Sequence, residues 1–177
     1  MKFEILSSEI ILQGRVFEVR RDRVRYPDGR AADYDIVIHA GAVTIVPIDG
    51  DGNVWFVSQY RHAAGETLLE LPAGTLEEGE KPEFCAAREL REETGYAAGK
   101  LRQLGAFYVA PGYSNEYMHL FLATQLNHDP LEPDEDEFIQ TEAHPASKVI
   151  TMMKNGEFND AKTIAALSIA RSYLEGI

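Results

Sequence analysis

At 177 residues, 45% of them hydrophobic and 26% charged, the chain is long enough to bury one full core with at most a small appended unit. A formal net charge of −12 excludes a general nucleic-acid binder, and an anionic substrate would need metal ions and local arginines to enter. The single cysteine, Cys85, excludes an intrachain disulfide, no stretch approaches the roughly 18 apolar residues of a membrane span, and glutamates in MKFEILSSEIILQG break any signal-like run. A soluble cytoplasmic protein is expected.

From Phe3 to His39 short strands alternate with turns, Pro27-Asp28-Gly29 turning the chain between GRVFEVRRDRVRY and AADYDIVIHA, so a small antiparallel unit is expected. Arg15, Arg20, Arg21, Arg23, Arg25 and Arg30 cluster here. They invite an anion-binding reading, but a solvated strand face or a dimer surface explains them more simply. GAVTIVPI (41–48) and VWFVSQYR (54–61) read as central strands joined by the turn 49–53, and Leu68–Leu71 brings a further strand up to Pro72-Ala73-Gly74.

Next comes GTLEEGEKPEFCAARELREETGY (74–96), a glycine-bounded loop, a helix and a glycine turn. Pro82 suits the first helical position and Gly95 the left-handed residue that ends a helix. With Arg88 at zero and about 100° per residue, Glu92 falls near 40°, Glu89 near 100° and Glu93 near 140°, on one face. Leu90 and Ala87 point the other way into a core, with Cys85 as small core filler. Carboxylates three and four residues apart repel by a few tenths of a kcal/mol per pair, so a cation is expected among them. With no histidine or cysteine at zinc spacing, a hard ion with oxygen ligands, Mg²⁺, is the best match. Arg88, four residues before Glu92, can pair with a glutamate and hold the face in shape, and Glu80 in the loop can reach the same arginine.

Leu101–Val109 and Tyr117–Thr124 read as strands flanking APGYSNE (110–116). An acidic loop, Asn127–Glu137, precedes a strand at 138–144, and a helix is expected over 145–155. Asn159 is a plausible N-cap for the last helix, whose Ile164, Leu167, Ala170 and Leu174 form an apolar stripe that packs on the sheet. Its polar face is not basic, which sets aside a membrane-surface role. Strands with helices before and after them imply an α/β protein with a mixed sheet between helices.

Gly74, Glu80, Arg88, Glu89, Leu90, Glu92, Glu93, Gly95 and Tyr96 resemble the Nudix box: a glycine, five residues, a glutamate, seven residues, then R-E-U-x-E-E-x-G-U, with U bulky and apolar. Only the aromatic Tyr96 departs, where the family has an aliphatic residue. A chance match in this length is on the order of one in ten million. The resemblance implies a Nudix-type α/β/α sandwich over residues 41–177, preceded by an antiparallel β unit over 1–40. It implies metal binding by Glu89, Glu92, Glu93 and the Ala73 carbonyl, with Mg²⁺ as cofactor and Mn²⁺ able to stand in.

Residues beyond the box are similar to the ADP-ribose pyrophosphatase branch, whose members cleave nucleoside diphosphate sugars. Pro111, about sixteen residues past Gly95, and the following Ser114-Asn115-Glu116 match it. So do Glu70-Leu71-Pro72-Ala73-Gly74, Ser58-Gln59-Tyr60-Arg61 and a G-x-x-F segment ending at Phe17. The branch implies that Phe17 stacks on adenine, Arg61 contacts substrate and Glu116 binds ribose hydroxyls. It implies that Glu135, with Glu137 second, is the catalytic base on the acidic loop, beside Arg88, Glu92 and Glu80. It also implies a homodimer in which the N-terminal unit crosses to the partner. The expected reaction is hydrolysis of ADP-ribose to AMP and ribose 5-phosphate. Other sugar nucleotides such as GDP-mannose are the alternative, and a non-catalytic nucleotide-sensing module is disfavoured by the intact box glutamates.

Overall fold

In the computed structural model, which describes residues 2–132 and 138–177, the chain divides into two units: Met1–Gly41 with Phe107–Met118, and Ala42–Ala106 with His119–Ile177. The first is built on an antiparallel sheet of β1 (Glu4–Gln13), β2 (Glu18–Arg25) and β3 (Ala31–Ile38), in that order. The expected turn closes β2 onto β3, with Tyr26 N–H donating to Arg30 O at 2.7 Å and Gly29 at φ 88°. That turn sets the register, so Arg21 stands opposite Asp35, Arg23 opposite Asp33 and, from β1, Glu4 opposite Arg25. All three cross-strand pairs are ion pairs, at 2.7, 2.9 and 2.9 Å, and Arg20 and Arg30 pair with Asp22 and Asp28. These five arginines are engaged by the unit's own carboxylates, which favours the solvated-strand reading over anion binding.

The second unit holds β4 (Ala42–Pro47), β5 (Asn53–Arg61), β6 (Glu66–Glu70), β7 (Ala73–Thr75), α1 (Pro82–Thr94), β10 (Ile139–Pro145), α2 (Ala146–Asn155), α3 (Ala161–Ile169) and α4 (Arg171–Leu174), with most of β8 (Tyr96–Tyr108) and β9 (Tyr117–His128). One sheet, β10-β5-β6, is antiparallel; the mixed sheet is the four-stranded β7-β4-β9-β8. β4 and β5 are each interior to a sheet, but to different sheets. The turn between them is held by Asp49 Oδ1, which accepts the N–H groups of Asp51 and Asn53 at 2.9 Å each.

Alternation along β4 and β9 explains the layers. Val43, Ile45, Phe121 and Ala123 pack with Cys85, Ala86 and Leu90 of α1. Their neighbours Val46, Ile48, Leu120 and Leu122 face the other way, onto Val149, Met152, Ala166, Leu167 and Leu174 of the C-terminal helices. Strands covered on both faces carry continuous apolar runs, and all six residues of β4 are buried. An α/β/α arrangement follows. No described helix is long and apolar enough to cross a membrane.

Several boundaries differ from expectation. β8 starts at Tyr96 rather than Leu101, and Ala73–Thr75 forms a short strand against β4 instead of open loop. Asp160, not Asn159, caps α3, its carboxylate accepting Thr163 N–H at 2.9 Å. That cap turns Thr163 inward, so Thr163 and Ala166 join Leu167, Ala170 and Leu174 in the buried stripe while Ile164 stays 45% exposed. The expected single last helix is interrupted at Ala170, where α3 gives way to α4.

Candidate active site

α1 begins at Pro82, which needs no N–H partner there, and ends at Gly95, whose φ of 78° suits a residue without Cβ. Its apolar side, Cys85, Ala86 and Leu90, is fully buried, while Ala87 is only half-buried. Burial pushes the Cys85 thiol up, consistent with a packing role and not a nucleophile.

On the other side Arg88 is a hub. Its Nε and Nη2 meet the two oxygens of Glu80 at 3.1 Å each, and its Nη1 donates to Glu89 Oε1 at 2.8 Å and Glu92 Oε2 at 2.9 Å. The fork fits Glu80 bidentately, as a lysine could not. Hydrogen bonding to Glu80, then the nearby charge of Glu89, raises the Arg88 guanidinium still further, and Arg88 in turn holds Glu80 below its ordinary carboxylate range. Glu80 also accepts Glu77 N–H at 3.1 Å, which shapes the loop before the helix.

Glu89 and Glu93 are 7% and 5% exposed, unusual burial for carboxylates. Glu93 accepts Ala73 N–H at 3.0 Å, tying the helix to β7. Glu89 lies against Gly74, where a Cβ would stand 1.8 Å from the Glu89 carboxyl carbon; the box glycine is the space that Glu89 occupies. Three carboxylates, one arginine shared with Glu80 and the Ala73 backbone therefore meet at one edge of the mixed sheet. Among the described residues one arginine forms ion pairs with three of these acids, so carboxylates outnumber the arginine they share.

Arg61, at the end of β5, is paired with Glu70 at the end of β6: Nε to Oε1 at 2.7 Å and Nη2 to Oε2 at 2.6 Å. Glu70 is 1% exposed. Sequence reading gave Glu70 no role, and strand register alone would not have found it: Glu70 stands opposite Val57, and Arg61 opposite Glu66.

Phe17, Pro111 and Glu116 belong to the first unit. Phe17 follows the β1–β2 turn, closed by Gly14 N–H donating to Phe17 O at 3.0 Å. A Cβ at Gly14 would come within 2.8 Å of that oxygen. Beside it is a groove of about 370 Å³ lined by residues 13–18 and by Ile38, His39 and Ala40. The 110–116 loop is stitched to the end of β3: Val37 N–H donates to Tyr113 O at 2.8 Å and His39 N–H to Asn115 Oδ1 at 2.8 Å. Pro111 is exposed, and the Glu116 backbone is fixed by Ser114 Oγ, which accepts its N–H at 3.1 Å. Within this unit the structure brings the Phe17 groove and the Glu116 loop to the same end of β3. Glu135 and Glu137 lie outside the described residues.

A family model described as NUDIX domain matches residues 38–167. The chain belongs to the Nudix family. Residues 3–37 match a second model, described as nucleoside diphosphate sugar hydrolase N-terminal domain. An ADP-ribose pyrophosphatase of Bacillus subtilis is 39% identical over 164 residues, 92% of this chain and 89% of that protein. The methanol dehydrogenase activator of Bacillus methanolicus is 35% identical over the same shares. Among solved structures, an ADP compounds hydrolase superposes with a TM-score of 0.87 at 28% identity, covering 99% of this chain and 96% of that one.

Nudix hydrolases act with divalent metal ions. Among the described residues no three acid, histidine or cysteine side chains stand as a ready group for one, and Glu89 and Glu92 are both paired with Arg88. The donor chemistry nonetheless fits a hard ion: every candidate ligand is an oxygen, and the glycine cradle holds one carboxylate against β7.

Proposed function

We propose that this Nudix hydrolase cleaves the diphosphate bond of ADP-ribose, giving AMP and ribose 5-phosphate. The observation that carries the reading is the buried carboxylate face, Glu89 and Glu93 with Glu92, shaped by Arg88 and Glu80 and backed by Gly74. Substrate class is supported by the nucleoside diphosphate sugar description of the N-terminal match and by the name of the Bacillus subtilis relative.

Glu89, Glu92, Glu93 and the Ala73 carbonyl would hold Mg²⁺, with Mn²⁺ as substitute. Such an ion supplies charge neutralisation for the diphosphate and a bound water of lowered pKa. Water oxygen bonds to one phosphorus as the bridging P–O bond breaks, and the bridging oxygen leaves with the other phosphate. Arg88 and Glu80 orient the glutamates. Arg61 meets the diphosphate, Phe17 the base and Glu116 the ribose, with Pro111 shaping the latter's loop. Glu135, or Glu137 next to it, is the proposed proton acceptor on the acid pattern of the loop alone.

The protein is proposed to be a homodimer. β1 is exposed along its whole length and carries Ile5, Leu6, Ile10, Ile11 and Leu12, an apolar strand that a second copy would cover. A reducing cytoplasm suits its one buried thiol.

The test is release of alkaline-phosphatase-sensitive phosphate from ADP-ribose, ADP-glucose, GDP-mannose, UDP-glucose, NADH and diadenosine polyphosphates, with and without Mg²⁺. A strong preference for ADP-ribose is expected. Broad activity would favour a general sugar-nucleotide hydrolase, and no turnover with either Mg²⁺ or Mn²⁺ would refute the enzyme reading.

A further inference from the structure

The first turn of α3 is built into the same edge of the second unit, although it lies far along the chain. Asp160 Oδ2 accepts both the N–H and the hydroxyl of Thr163, at 2.9 and 2.6 Å, and that hydroxyl oxygen accepts Leu71 N–H at 2.8 Å. Lys162 Nζ stands 3.1 Å from Asp160 Oδ2 and donates to Glu70 Oε2. The buried Glu70 therefore has two cations, Lys162 from α3 and Arg61 from β5. Only Nε and Nη2 of Arg61 are on Glu70; Nη1 is outside that pair. Hydrogen bonding to Glu70, with the charges of Glu93 and Asp160 further off, raises the Arg61 guanidinium.

We propose that Lys162 is a positioning residue for the substrate diphosphate, acting through Glu70 on Arg61. This rests on the function proposed above. A buried carboxylate with a single counter-ion takes up that ion's charge, and at low effective dielectric the loss is large. Lys162 shares the Glu70 charge, so Arg61 is held by Glu70 through Nε and Nη2 yet keeps positive charge, with Nη1 outside that pair, for an anionic diphosphate. Asp160 also draws on Lys162, but its Oδ2 accepts the N–H and hydroxyl of Thr163 at the N-terminus of α3 as well, so Lys162 keeps charge for Glu70.

The experiment is steady-state kinetics on ADP-ribose with Mg²⁺. Lys162→Met is expected to raise KM about tenfold with kcat within about threefold, and Lys162→Arg to recover most of the loss. Breaking one side of a buried pair threatens folding, so the neutral double variant Glu70→Gln/Lys162→Met is made as well. It is expected to fold and still show a KM raised about tenfold, because Arg61 has lost its carboxylate mate. In an Arg61→Ala background, Lys162→Met should add nothing to KM. A double variant with wild-type KM, or Lys162 and Arg61 effects that multiply, overturns the inference while leaving the hydrolase reading intact. A wild-type protein that turns over no sugar nucleotide overturns both.

Discussion

Arginine–carboxylate pairs occur in both units at nearly the same distances, yet they do opposite things. In the first unit Arg21 and Arg23 of β2 each face one acid across the sheet, Asp35 and Asp33, both partners about half exposed. Charge cancels one to one in solvent, and little follows for stability or binding. In α1 a single arginine serves Glu80, Glu89 and Glu92 while Glu93 stands beside them, and all are largely buried. The cluster has acid in excess, where water cannot disperse it. Charge stoichiometry and burial, not the presence of ion pairs, separate a site from a solvated surface.

That contrast can be broken or sharpened in several ways. The largest effect is expected from Glu93→Gln: the amide oxygen can still accept Ala73 N–H, so the fold survives, while ADP-ribose turnover falls on the order of a thousandfold. Equal turnover in purified, folded variant would contradict the site. Gly74→Ala comes next. Its methyl would overlap the Glu89 carboxyl, costing about 1–3 kcal/mol of overpacking and lowering Tm by roughly 3–10 °C, with activity down about a hundredfold. A variant that melts and turns over like wild type would show that Glu89 has room to leave.

A smaller effect concerns acid. The Arg88 hydrogen bond depresses the Glu80 pKa in the folded state, so the unfolded chain binds that proton more readily. The resulting stability is fully present above the ordinary carboxylate range and is lost as pH falls through the lowered folded value. Urea midpoints should decline between about pH 5 and 3, and less steeply in Arg88→Met. Identical pH slopes in the two proteins would remove Arg88 from this role. The smallest effect belongs to the first unit: Arg21→Gln should move Tm by no more than about 1–2 °C and leave turnover unchanged. A large loss of activity there would revive the anion-binding reading of the arginine cluster.

What could be read from sequence follows distance along the chain. The face shared by Glu89, Glu92 and Glu93 depends on helical spacing within one turn and a half, and both helix ends are marked by Pro82 and Gly95. The arginine ladder was within reach too: a turn at 26–30 places 25 opposite 31, and therefore 23 opposite 33 and 21 opposite 35. Two features were not legible. Thr163 is polar yet buried, because its hydroxyl caps Leu71 across 92 residues of sequence, and hydrophobic periodicity chose Ile164 instead. Lys162 and Glu70 are equally distant, and nothing local marks either as a partner of the other.

The central claim is that the acid excess on α1 is a cation site, and Mn²⁺ titration followed by electron paramagnetic resonance tests it without relying on turnover. Wild type should deplete the signal of free Mn²⁺, and Glu89→Gln/Glu93→Gln, confirmed as folded by its melting curve, should not. Equal depletion by the two proteins would place the ion elsewhere and contradict the account.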